Sequence, residues 1–341
     1  MVRFTVLASG SKGNATVVSG GSTRILVDCG LSCRELFRRM RLVGEVPETL
    51  DAIVITHEHM DHVNGLAVTA RKLGIPVYFT EATHRAWMRW LTPRRQMTYA
   101  QWLEQCRKLA AERQAEADAA VQHGCPEGEQ DDREAEAELD CVMAEVTAAP
   151  ESSGEVAEAK TAADGPSSRK ADPTWLPAVE YFQAGEAFEI GDIAVSPFTI
   201  PHDAADPVGF VFQAEGVRMA CATDLGYIPP NVKAQLKGVD LLLLESNHDL
   251  EMLRDGPYPW SVKQRVLSRV GHLSNEATAD YLEKVYDGQA AYVILAHLSE
   301  SNNLPELARI TAERALNGRA SLLANRLLLA AQHEPLSSIC F

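Results

Sequence analysis

Four ligand-type side chains fall within six positions, His57, His59, Asp61 and His62, in the run Thr56-His57-Glu58-His59-Met60-Asp61-His62-Val63-Asn64-Gly65. The apolar run Ala52-Ile53-Val54-Ile55 precedes them and predicts a buried strand. Imidazole nitrogen and carboxylate oxygen suit a borderline divalent ion such as Zn²⁺, with Mn²⁺ or Fe²⁺ also admissible. At an extended strand end His57 and His59, two residues apart, point the same way, while Asp61 and His62 lie past the turn and can face a second ion. Two ions with one water between them make a hydrolytic centre. A His-rich surface loop would satisfy the same string, so the surrounding elements decide.

Further candidates also follow strand-like runs. His202 comes after residues 193–200, Asp224 after residues 217–222, Glu245 and His248 after Leu241-Leu242-Leu243-Leu244, and His297 after Tyr292-Val293-Ile294-Leu295-Ala296. Residues placed after successive strands gather at one edge of a sheet. His272 stands in Gly271-His272-Leu273-Ser274-Asn275-Glu276, which opens a helix capped by Ser274. Near the N-terminus, strands are expected at 4–8, 15–18 and 23–27, joined first by Ser9-Gly10-Ser11-Lys12-Gly13-Asn14, a turn whose hydroxyls and free N–H groups could hold phosphate. A helix at 34–41, capped by Ser32, carries Arg34, Arg38, Arg39 and Arg41; helices at 65–73 and 81–91 flank a strand at 77–79, and Arg85, Arg89, Arg94 and Arg95 form a second basic cluster. Such faces are commonly just solvated, but a cationic rim near a metal site would steer a polyanion.

With 341 residues, 46% of them apolar, the chain can bury a substantial core. Seven cysteines without a Cys-x-x-Cys pair suit a reduced, cytoplasmic protein. The N-terminus turns polar at Ser9, too early for a signal peptide, and no run reaches the ~18 apolar residues of a membrane span. The formal charge of −15 opposes phosphate binding, but residues 104–175 hold 18 acidic and 7 basic residues and leave the remainder near −4. Aromatics vanish between Trp102 and Trp175. This region reads as a largely disordered acidic insertion, with a helix at 101–118, set within a single folded domain of residues 1–103 and 176–341. It could engage an unknown protein partner. Its His123, Cys125 and Cys141 are too irregularly spaced for a convincing zinc site.

The His-x-His-x-Asp-His string at a strand end resembles the signature of the metallo-β-lactamase superfamily. The likeness implies an α/β fold, the four-layer αβ/βα sandwich. Carried over by position, it implies that His57, His59 and His202 bind one metal, that Asp61, His62 and His297 bind a second, that Asp224 bridges them, and that Asp28 supports the ligands from behind. Asp224 in place of a cysteine, with a strand-end His297, looks like the phosphodiesterase and nuclease branches. The strings Ala8-Ser9-Gly10-Ser11-Lys12-Gly13-Asn14, His202-Asp203-Ala204-Ala205-Asp206-Pro207, Glu245-Ser246-Asn247-His248-Asp249, Gly271-His272-Leu273-Ser274-Asn275 and Ala296-His297-Leu298-Ser299-Glu300-Ser301-Asn302-Asn303 resemble the YycJ (WalJ) group of metallohydrolases. That resemblance implies a 5′-to-3′ DNA exonuclease, linked in some bacteria to mismatch repair, and the acidic insertion departs from the group.

The expected mechanism is phosphodiester hydrolysis by a hydroxide held between two divalent metals, with Asp61 among the catalytic residues as a ligand. Ser9, Ser11, Asn14, Asn247, His272, Ser274, Ser299 and Asn302 are candidates to position phosphate, and all could instead serve turns and caps. His248, oriented by Glu245, matches in chain order a proton donor of RNA-processing members of the superfamily, with His272 the competing donor. Two other readings stay open. One is a hydrolase of a small ester, thioester or lactone, which needs an apolar pocket; the other is a binding protein whose metals are structural.

Overall fold

A computed structural model describes residues 1–92, 107–108, 172–316 and 326–341. The expectations for Arg94, Arg95, His123, Cys125, Cys141, the helix at 101–118 and nearly all of the acidic region lie outside these residues. Met1–Pro93 and Ala171–Phe341 form one compact unit.

The first sheet begins as an antiparallel meander of β1 (Arg3–Ala8), β2 (Ala15–Gly20) and β3 (Thr23–Val27), and continues in parallel through β4 (Ala52–Val54), β5 (Pro76–Phe79) and β6 (Ala178–Tyr181). Crossovers carry α1 (Cys33–Leu42), α2 (Met60–Val63), α3 (Leu66–Leu73) and α4 (Glu81–Leu91). The second sheet runs antiparallel through β7 (Phe188–Ile190), β8 (Ile193–Thr199), β9 (Val208–Ala214) and β10 (Val217–Ala222), then parallel through β11 (Leu241–Glu245), β12 (Tyr292–Ala296) and β13 (Arg326–Leu329). Its helices are α5 (Pro230–Gln235), α6 (Leu250–Asp255), α7 (Trp260–Val266), α8 (Asn275–Lys284) and α9 (Pro305–Leu316). The last strand, β14 (Ile339–Cys340), returns to pair with β1.

Alternation along the strands builds four layers. In β3, Ile25 and Val27 join the core between the sheets while Leu26 faces the helices of the first sheet; in β11, Leu241 and Leu243 face inward while Leu242 and Leu244 face the helices of the second. Both faces of each sheet are covered, which is why β4 and β11 read as unbroken apolar runs rather than as alternating ones. The layers match the αβ/βα sandwich expected from the resemblance.

Three of the four arginines of α1 are paired within the fold. Arg38 and Arg39 both pair with Glu35, and Arg41 pairs with Glu48. Arg39 is buried and donates to the carbonyls of Leu7 at 3.0 Å and Gln332 at 2.7 Å, so it ties β1 to the chain after β13. Arg85 likewise pairs with Glu81 on its own helix. Arg71 on α3 donates to the carbonyls of Asp172, Pro173 and Trp175, fixing residues 172–175 to the folded unit.

Removing Arg39 leaves two buried carbonyls and part of Glu35 unpaired. Arg39→Ala should cost about 3–5 kcal/mol in urea unfolding, whereas Arg38→Ala, at the exposed end of the same cluster, should cost under about 1 kcal/mol.

Candidate metal centre

The ligand loops are laced together through their backbones. Asn14 N donates to Asp61 O at 2.7 Å, Cys29 N to His62 O at 2.7 Å, and Gly30 N to Asn14 O at 2.9 Å. The approach at Gly30 is so close that a Cβ there would stand 1.6 Å from Asp61 O. Three site residues each follow a strand in left-handed backbone conformation: Asp28 (φ 60°) after β3, Asp224 (φ 62°) after β10, and His297 (φ 57°) directly after β12. Among the described residues only Glu215, in a hairpin turn, joins them as a non-glycine with positive φ. This strained turn swings the side chain back over the sheet edge, and Asp and His tolerate it better than most residues.

The seven expected ligands converge. His57 Nε2 and His202 Nε2 lie 3.1 and 3.3 Å from His59 Nδ1. Asp61 Oδ2 lies 3.4 Å from His62 Nε2 and 3.5 Å from His297 Nε2. Asp224 spans the two sets, with Oδ2 3.4 Å from His62 Nε2 and Oδ1 3.9 Å from His202 Nε2. Donors bound at 2.0–2.1 Å to one tetrahedral ion stand about 3.3 Å apart, the spacing seen in both sets. Asp224 Oδ2 is buried without a hydrogen-bond partner, an orphan that a cation would satisfy. The His and Asp clusters thus fit a dinuclear metal site.

The far nitrogen of each imidazole is held, which aims the near one. His62 Nδ1 lies 2.8 Å from Asp28 Oδ2, His297 Nδ1 3.0 Å from Glu245 Oε1, His57 Nδ1 3.0 Å from Thr56 Oγ1, His202 Nδ1 3.2 Å from Gly271 O, and His59 Nε2 3.2 Å from Asp203 O. Asp28 also accepts from Thr56 N and Thr56 Oγ1.

The two sets differ electrostatically. Burial, reinforced by neighbouring imidazoles, pushes the pKa values of His57, His59 and His202 down, leaving them neutral and ready to ligate. Burial works the same way on His62 and His297, but the carboxylates around them outweigh it and hold both well above the ordinary value: Asp28, Asp61 and Asp224 at His62, and Asp224, Asp61 and Glu245 at His297. Burial would raise Asp61, Asp224 and Glu245, yet their histidine neighbours keep all three carboxyls below the usual range.

Glu245 faces His272 and His297 rather than orienting His248. Its Oε1 lies 2.8 Å from His272 Nδ1, and its Oε2 accepts from Leu225 N and Leu273 N. His272 is brought to a cleft of ≈ 450 Å³ whose floor includes His59, Asp61, Asp224 and His297. His248 does not line that cleft; it is buried, neither ring nitrogen has a hydrogen-bond partner, and burial lowers its pKa to about 4.

Of the seven Ser and Asn residues read as phosphate contacts, Ser11 alone lines the cleft. The rest serve the chain. Ser9 Oγ accepts from His297 N, Asn14 Oδ1 accepts from Gly10 N while its Nδ2 reaches Asp61 and His62, and Asn247 Nδ2 donates to His297 O. Ser274 caps α8, and Ser299 Oγ accepts from Asn302 N and from its fully buried amide. Sequence reading missed Glu58, whose Oε1 accepts from Ala205 N at 2.8 Å and staples the first histidine loop to the His202 loop. Its place between two ligands was the available signal.

The profile of the Metallo-beta-lactamase superfamily matches residues 8–297. The chain is 31% identical over 319 residues to exodeoxyribonuclease YycJ of Bacillus anthracis, covering 92% of this chain and 89% of that protein. It is 29% identical over 309 residues to exodeoxyribonuclease WalJ of Streptococcus pneumoniae serotype 2, covering 91% and 86%. Among solved structures, zinc-bound PqqB of Methylobacterium extorquens shares the fold, with TM-score 0.54 and 16% identity over 98% of this chain and 99% of that one.

Elemental analysis of purified protein should find about two divalent ions per chain, and Asp224→Ala should lose a large part of them. Because protons compete more strongly for His62 and His297 than for the first set, lowering the pH below neutrality should release the second ion before the first. Simultaneous loss of both ions on a pH titration would contradict this order.

Proposed function

The chain belongs to the metallo-β-lactamase superfamily, and from that premise we propose that it is a dinuclear metal-dependent phosphodiesterase, a 5′-to-3′ DNA exonuclease. The observation that carries the reading is the likeness across nine-tenths of the chain, 92% and 91% of it, to two proteins named as exodeoxyribonucleases. The intact ligand set supports it, since every one of the seven positions holds a residue able to ligate. Two divalent ions, Zn²⁺, Mn²⁺ or Fe²⁺, when held by these residues would supply Lewis acidity toward water and phosphate oxygen.

Phosphodiester cleavage also needs a proton for the departing alkoxide. Our candidate for this is His272, supported by its position in the cleft lining and by the contact of its Nδ1 with Glu245. Burial disfavours its cation, but Glu245, with help from Asp224, outweighs that and raises its pKa above the ordinary value. A raised pKa keeps the acid form populated near neutrality. His248, held neutral down to about pH 4, is the weaker candidate.

A second reading has one observation in its favour. Trp90, Met60, Val262 and Val266 give the cleft an apolar wall that a small ester, thioester or lactone could use. Turnover of a 5′-labelled DNA, a lactone and a thioester, each with and without a chelator, separates the two; DNA should be degraded and the other two left intact. In single-turnover cleavage, His272→Ala should slow a normal DNA end by ~10²- to 10⁴-fold. That defect should shrink sharply when sulfur replaces the leaving oxygen, because a thiolate departs without a proton. An equal defect on both substrates would remove His272 from this role, and the same pair of substrates tests His248→Ala.

A further inference from the structure

The apolar wall of the cleft calls for an occupant. Trp90 ends α4 with 69% of its surface exposed, whereas Trp87, one turn earlier, is buried at 2%. Across the cleft, Val262, Arg265 and Val266 lie three and four residues apart and so share one face of α7. Both walls stand over a floor that includes members of each ligand set.

The segment around α7 is locally basic. In a chain of formal charge −15, residues 257–271 hold Lys263, Arg265 and Arg269 and no acidic residue. Lys263 is committed to the fold, its Nζ donating to Arg254 O at 2.7 Å. Arg265 pairs with Asp203 at the cleft rim. Arg269 is exposed, has no carboxylate partner among the described residues, and rests over the Tyr227 ring at 4.6 Å. An exposed indole beside a candidate metal floor, with Arg265 in the same lining and Arg269 four residues on, has the make-up of a single-strand nucleic-acid site, where flat bases stack and guanidinium groups meet the backbone. A small uncharged ester would have no use for the cations.

We propose that Trp90 and the Val262/Val266 face of α7 form a subsite for the unpaired terminal nucleobase of a DNA strand, stacked on the indole, with Arg265 and Arg269 meeting the phosphates that follow. The subsite rests on the exonuclease reading and narrows it to single-stranded or frayed ends. A cleft of ≈ 450 Å³ has room for one nucleotide. The floor then receives the phosphate attached to the stacked nucleoside.

The test compares metal-loaded wild type, Trp90→Ala and Trp90→Phe on two single-stranded oligonucleotides, one ordinary and one lacking the base of its 5′-terminal nucleotide. Trp90→Ala should raise KM on the ordinary strand by about 5- to 140-fold and leave the abasic strand unchanged, and Trp90→Phe should restore most of the loss. A KM rise equal on both strands, or on neither, overturns the subsite and leaves the exonuclease reading standing. Wild-type protein that cuts neither strand, yet turns over a lactone or thioester, overturns both.

Discussion

Glu245 is fully buried at the end of β11, and four groups converge on its carboxylate: the rings of His272 and His297 on one oxygen, the N–H groups of Leu225 and Leu273 on the other. An ionised carboxylate in that position is tolerable only because each partner is in place. In return it fixes the loop after Asp224, the start of the segment that caps α8, and the ring of His297. Asp28 does the same in the first sheet, holding Thr56 and His62 after β3. One buried acid at a strand end in each sheet therefore aims His62 and His297 at Asp61, and the two halves of the sandwich meet at that carboxylate.

This arrangement carries strain that the apolar layers must absorb. Asp28, Asp224 and His297 all sit in left-handed conformation, each costing of order 1–2 kcal/mol in an L-residue. The strain is tolerated because β3, β10 and β12 are central strands with both faces buried, so the residues that follow them cannot relax outward. The core thus contributes more than stability, since it holds ligands in a geometry that an isolated loop would not adopt.

What could be read from the sequence follows the same logic. His57, His59, Asp61 and His62 were legible because they are local and follow an apolar strand, and His202, Asp224 and His297 because each ends a run of its own. The partner of Glu245 was not. Chain order favoured His248, three residues on, but the backbone there pairs with Ser274 and turns the ring into the interior, so His272, 27 residues away, takes the contact. The Ser and Asn residues could not be assigned because a turn and a phosphate ask for the same hydroxyl or amide. Arg39 could have been recognised as buried, since it lies three residues past Leu36 and beside Met40 on the inward stripe of α1. The short β6 and β14 lie at a sheet edge and carry too little pattern to be seen.

The electrostatics explain why such a site wants cations at all. Four carboxylates, Asp28, Asp61, Asp224 and Glu245, are concentrated at one end of the sandwich, and they raise the pKa values of His62, His272 and His297 beside them. Two divalent ions held there would bring four positive charges to the same space and would need the ligating nitrogens of His62 and His297 free, so their binding would displace protons from the second set more than from the first. His272 differs from those two in that Glu245 lies at its Nδ1 and the residue lines the cleft. Were ions held by the seven residues, a proton on His272 would be the one they need not displace.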